Sequence, residues 1–184
     1  MVRGAACCTA LLLGLLPSRP ATAVILYGTG DPAANTTSPS GVLSGSGWQY
    51  SGSWIGATAV VVAPNWILTA RHIGDAASGD TFTRTDGASF TSLLKVESGP
   101  GLGGDVDLTL VKLNGTFTDY APLFTGSNEQ AKDLVTFGRG GARGAEVRDA
   151  GNVLHGWLWN SSDGVMRWGE NNVAGFADWS AGGD

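Results

Sequence analysis

Cysteine, histidine and charge are all scarce in this chain of 184 residues, which has 2 Cys, 2 His and only 15 % charged side chains. Each scarcity excludes something. Both cysteines, Cys7 and Cys8, precede an apolar run near the N-terminus, in a stretch expected to be removed, so no disulfide is expected to hold the remainder together. Two well-separated histidines without further cysteine exclude a zinc site of the usual ligand spacing. The formal net charge is −5 and no Lys/Arg block occurs, so the basic footprint of a nucleic-acid or anionic-membrane binder is missing. Helical periodicity is nearly absent, and no apolar run approaches the roughly 18 residues that a membrane span needs.

Glycine is abundant instead, at 29 residues. Short Val/Thr/Leu/Trp runs separated by Gly, Asn, Asp and Pro are the pattern of β-sandwiches and barrels. The fold class expected is all-β, in one domain with a proper core or two small ones packed together.

The N-terminus carries Arg3, the apolar run Ala10 to Leu16 (ALLLGLL) and a small-x-small site at Ala21-Thr22-Ala23. That order is expected of a secretory signal peptide over residues 1–23, cut before Val24, and implies a secreted or periplasmic protein. A lipoprotein cysteine would follow the apolar run rather than precede it. Asn35, Asn114 and Asn160 begin Asn-x-Ser/Thr triplets, glycosylation acceptors in a eukaryotic route or chance in a Ser/Thr-rich chain.

Residues 24–47 read as an extended lead-in. Ala57 to Val62 and Trp66 to Leu68, joined at Pro64-Asn65, read as a hairpin of core strands. Asp80 to Arg84 and Ser89 to Val96 flank an Asp86-Gly87 turn. Val106 to Leu113 is a further strand, and Leu134 to Phe137, Glu146 to Leu158 and Val165 to Trp168 are the candidates beyond a linker. The tryptophans Trp48, Trp54, Trp157, Trp159, Trp168 and Trp179 are spaced irregularly, which favours core positions over a carbohydrate-stacking face.

Thr69-Ala70-Arg71-His72, at the end of an apolar strand, resembles the Thr-Ala-x-His segment of trypsin-like serine proteases, in which the histidine is the general base. Asp107-Leu108-Thr109-Leu110-Val111-Lys112-Leu113 resembles the strand that carries the triad aspartate in that family. Physically, an acid there can be buried against the imidazole, accept its N–H and fix its tautomer. Asp105 is the neighbouring acid, a turn residue or a calcium ligand. Asp107 is preferred because the apolar alternation begins directly after it. Val135-Thr136-Phe137-Gly138-Arg139-Gly140 resembles the Val-x-Gly-Trp-Gly strand of the second barrel, with Phe137 and Arg139 departing from it.

The resemblance, to a secreted bacterial subgroup without disulfides, implies a trypsin-like double β-barrel. A lead-in and first barrel would occupy residues 24–125 and carry His72 and Asp107, and a partial second barrel would occupy 126–184. It also implies a monomeric endopeptidase acting on protein or peptide substrates, with no cofactor, no metal and no nucleic-acid partner. Val24-Ile25 resembles the inserted terminus of mature trypsins. The family's Gly-Asp-Ser-Gly-Gly segment does not occur in the sequence, so the chain is expected to be a fragment without its nucleophile. Ser180 lacks the flanking glycines and is not expected to substitute, and His155 is expected to be packed or superficial. The alternatives are a catalytically inactive homologue and a secreted β-rich binding module.

Overall fold

The computed structural model describes residues 24, 26, 28–73, 78–97 and 106–176. The expectations for the signal peptide, Asp105, Trp179 and Ser180 lie outside them. Six strands follow in the first half: β1 (Ser51–Trp54), β2 (Ala57–Ala63), β3 (Trp66–Thr69), β4 (Thr81–Arg84), β5 (Ser89–Glu97) and β6 (Thr109–Leu113). They pair antiparallel in the order β1-β2-β3-β6-β5-β4 and close on themselves because β4 also pairs with β1. Closure leaves no edge with unpaired backbone groups.

Alternation decides what fills the barrel. Ala57, Ala59 and Val61 of β2, Ile67 of β3 and Val111 and Leu113 of β6 point inward and are buried, while the residues between them face out. With Trp54, Phe82 and Phe117, all of these but Ala57 form one core, against which Ile73 and Phe90 pack. Phe117 meets Phe82 edge-on at 6.3 Å and Phe90 at 4.6 Å between ring centroids. Among the described residues Trp54 is the one tryptophan buried outright, whereas Trp159 is 58 % exposed.

Strand β1 has no apolar alternation in Ser51-Gly52-Ser53, and the sequence gives no sign of it. Its glycine explains the place: a Cβ on Gly52 would stand 2.4 Å from the Phe82 ring and 2.5 Å from the Thr83 carbonyl oxygen. The β1–β2 turn is strained. Ile55 and Gly56 have φ of 47° and 79°, a pair of left-handed residues for which Asn-Gly is the favoured sequence and a β-branched first residue an outlier. Ile55→Asn is therefore expected to stabilise by about 1 kcal/mol and raise Tm by about 2–4 °C. A thermal melt with an unchanged or lower Tm would show that the half-exposed Ile55 side chain packs well enough to outweigh its backbone.

Beyond the barrel lie β7 (Asp133–Gly138), β8 (Gly141–Arg148), β9 (Leu154–Ser162) and β10 (Arg167–Asn172). β7 pairs with β10 and β8 with β9, each as a two-stranded antiparallel sheet. The all-β class with a complete first barrel and an incomplete second one thus holds. The single strand expected over Glu146 to Leu158 is corrected to two. The chain reverses at Asp149–Val153, where the Asp149 carboxylate accepts the Val153 N–H at 2.9 Å and Asn152 takes φ 64°.

The lead-in is fastened to this second half. Val24 packs on Gly138 and Gly169, where a Cβ would meet it at 3.2 Å. Asn35 and Trp168 exchange bonds: the Asn35 amide donates to the Trp168 carbonyl at 2.9 Å and the Trp168 N–H to the Asn35 carbonyl at 3.2 Å. The Arg167 guanidinium donates to the Pro32 carbonyl and to Asp163. The Asn35 amide is therefore committed within the fold rather than presented as a glycosylation acceptor.

Candidate active site

Register explains why a histidine follows an apolar strand. β3 and β6 are antiparallel with Thr69 opposite Thr109, so the chain leaving β3 and the chain entering β6 meet at one end of the barrel. Thr69 ties off β3 by donating its hydroxyl to the Thr58 carbonyl at 3.1 Å. A single 3-10 turn, Arg71–Ile73, follows, and Ile73 returns to pack on the core. His72 is thus held between two fixed points.

Asp107 meets it there. Its Oδ2 lies 2.5 Å from His72 Nδ1 and its Oδ1 accepts the His72 main-chain N–H at 2.8 Å, while its carbonyl accepts the Arg71 N–H at 3.3 Å. These bonds turn the chain aside, so β6 starts at Thr109 rather than at Val106 as the sequence suggests, and Leu108 N–H closes a tight turn onto the Val106 carbonyl. The expected burial of the acid is not observed. The Asp107 side chain is 52 % exposed and that of His72 67 %, because the aspartate precedes the strand instead of lying within it.

The electrostatics follow from these contacts. The hydrogen bond from His72 holds the Asp107 carboxyl below its ordinary range, the main-chain bond and the charges of His72 and Arg71 add to this, and burial opposes it. A carboxyl depressed in the folded state contributes stability above its unfolded pKa, and that contribution is lost as pH falls through the folded value. Donating the Nδ1 proton to Asp107 leaves the Nε2 lone pair to accept a proton. Among the described residues nothing bonds that nitrogen.

The Gly-rich strand reaches the same end of the barrel. Arg139, directly after β7, donates its main-chain N–H to the Thr58 hydroxyl at 3.0 Å. Between β7 and the barrel runs a groove of about 350 Å³ lined by Ser51, Thr58, Ala59, Val60, Leu68 and Phe137. The other histidine sits elsewhere. His155 Nε2 lies 2.9 Å from Asp149 Oδ2, a pair across the β8–β9 turn that the sequence reading missed because its acid also caps the turn. No group of His, Cys, Asp and Glu suited to a metal occurs among the described residues, nor any helix long and apolar enough to cross a membrane.

A family model described as Trypsin matches residues 31–147, well over half of the chain. The match includes His72, Asp107 and the strand through Arg139. No curated protein matches the chain.

Proposed function

Because the chain belongs to the trypsin family, we propose that it is a secreted serine endopeptidase in which Asp107 orients His72 as general base. The observation that carries the reading is the double grip of one carboxylate on the His72 ring and main chain. That grip selects rotamer and tautomer together. The leader-like composition of residues 1–23 supports secretion.

The chemistry assigned to the pair is acyl transfer. His72 Nε2 takes the proton of a serine hydroxyl as its oxygen bonds to the scissile carbonyl carbon, and the carbonyl electron pair moves onto oxygen. The imidazolium then passes the proton to the leaving amine as the C–N bond breaks, while the Asp107 charge stabilises it throughout. The serine is proposed to come from a Gly-Asp-Ser-Gly type segment that these 184 residues do not contain. The second reading is an inactive homologue that binds peptides.

A serine-directed fluorophosphonate separates the two. The gene product extended through such a segment is expected to be labelled, and the 184-residue chain is not, since loss of the serine alone removes about 10⁶ of turnover in a triad enzyme. Labelling of the 184-residue chain that disappears in Ser180→Ala would overturn this assignment of the nucleophile. A coding sequence with no Gly-x-Ser-Gly segment downstream would favour the binder.

A further inference from the structure

We propose that Asn114 is a self-modification site, at which the folded protein loses the side-chain amide through attack by the Gly115 main-chain nitrogen. Asn114-Gly115 is the one Asn-Gly pair in the sequence, and it directly follows β6. The glycine is obligatory there. A Cβ on Gly115 would stand 2.2 Å from the Phe90 ring, a separation that real Cβ atoms do not reach, and Phe90 itself packs on the core. No side chain can therefore stand after Asn114 to shield its amide from the neighbouring nitrogen.

The amide is held against Thr91 of β5. The Asn114 main-chain N–H donates to the Thr91 carbonyl at 2.9 Å, and Asn114 Oδ1 accepts the Thr91 N–H at 2.9 Å. The side-chain oxygen thus stands where a main-chain carbonyl stands in an ordinary antiparallel pair. The Thr91 N–H points at the oxygen on which negative charge gathers when Cγ is attacked, and a donor so placed lowers the barrier. Asn114 is exposed, so water reaches the departing nitrogen. Among the described residues no acceptor meets the Gly115 N–H, and its proton is open to solvent base. Asn160 and Asn171 differ. In each the next residue's N–H is already bonded to the asparagine's own Oδ1, at 2.8 Å, and that next residue, Ser161 or Asn172, carries a side chain.

Water is the co-reactant. The Gly115 nitrogen gives up its proton and bonds to Asn114 Cγ, the bond from Cγ to the amide nitrogen breaks, and that nitrogen leaves with the proton as ammonia. The product is a cyclic succinimide. Water then opens the ring at one of its two carbonyls. Opening at Cγ gives aspartate on the original main chain, which keeps an oxygen for the Thr91 N–H. Opening at the main-chain carbonyl gives isoaspartate, whose main chain runs through Cγ and is longer by one carbon. That extra length displaces the bonds to Thr91 and loosens the seam between β5 and β6.

The test ages the 184-residue protein in mildly alkaline ¹⁸O-water, one sample native and one in urea, and maps its peptides by mass with fragmentation that separates isoaspartate from aspartate. The native sample is expected to gain ¹⁸O-labelled acid at Asn114 before Asn160 or Asn171, part of it as isoaspartate, at a rate within about tenfold of the unfolded chain. Asn114→Gln, which must close a larger ring, is expected to stay unlabelled at that position. In the aged native protein the isoaspartate fraction is expected to lose protection of the Thr91 N–H against exchange, whereas Asn114→Asp retains it. A native rate more than about tenfold below the unfolded one would mean that the fold shields the amide, and overturns the proposal. Label appearing first at Asn160 or Asn171, or acid at Asn114 with no isoaspartate, overturns it equally.

Discussion

Asp107→Asn is expected to lower turnover of the serine-bearing enzyme about 10⁴-fold, the loss typical when a triad aspartate becomes an amide. The geometry here states why. The His72 main-chain N–H bonds one carboxylate oxygen at 2.8 Å and the ring meets the other at 2.5 Å. A main-chain N–H can only donate, so the oxygen of the new amide must face it and the amide NH₂ must face Nδ1. That forces Nδ1 to accept and places the imidazole proton on Nε2, where no base remains for the serine. Binding of substrate does not depend on the tautomer, so the fall belongs in kcat far more than in KM. Asp105→Asn, by contrast, is expected to cost little. The reverse ranking in steady-state assays would remove Asp107 from the role.

Phe82→Ala is expected to destabilise the protein by about 4 kcal/mol, within the range for deleting a buried aromatic ring. The ring is fully buried, stands against Gly52 and meets Phe117 edge-on. Its loss opens a cavity facing a strand whose glycine has no side chain to collapse into it. With a total stability of roughly 5–15 kcal/mol, such a loss is a large fraction of the whole and shifts Tm by about 8–16 °C. Thermal or urea unfolding of the 184-residue chain measures it. A change below about 1 kcal/mol would mean that the barrel repacks around the gap and that the aromatic trio is not its centre.

Much of the barrel is legible in the sequence because its signals are local. Ala57 to Val62 and Trp66 to Leu68 are short apolar runs on either side of Pro64-Asn65, and Asp86-Gly87 marks its own turn. The strand pairing that brings the ends of β3 and β6 together then places His72 and Asp107 side by side. What escapes is set by residues distant in sequence. Asp107 leaves the strand because His72 draws on both of its carboxylate oxygens. Ser51–Trp54 becomes a strand because Phe82 needs a neighbour without a side chain. The reversal at Asp149–Val153 contains no Asn-Gly or Asp-Gly pair and is made by a carboxylate that also meets His155.

The bonds between Asn35 and Trp168 also bear on synthesis, since they join positions 133 residues apart. At a ribosomal pace of about 5–20 residues per second, the lead-in waits roughly 7 to 27 s for its partner to emerge. The barrel, whose strands all lie between Ser51 and Leu113, is complete well before then. It is thus an insertion within a longer unit, able to fold while the chain on either side of it is still open. Until Asn35 meets β10, the lead-in at residues 28–47 has no partner from the second half, and in that interval it is expected to be open to proteolytic cleavage.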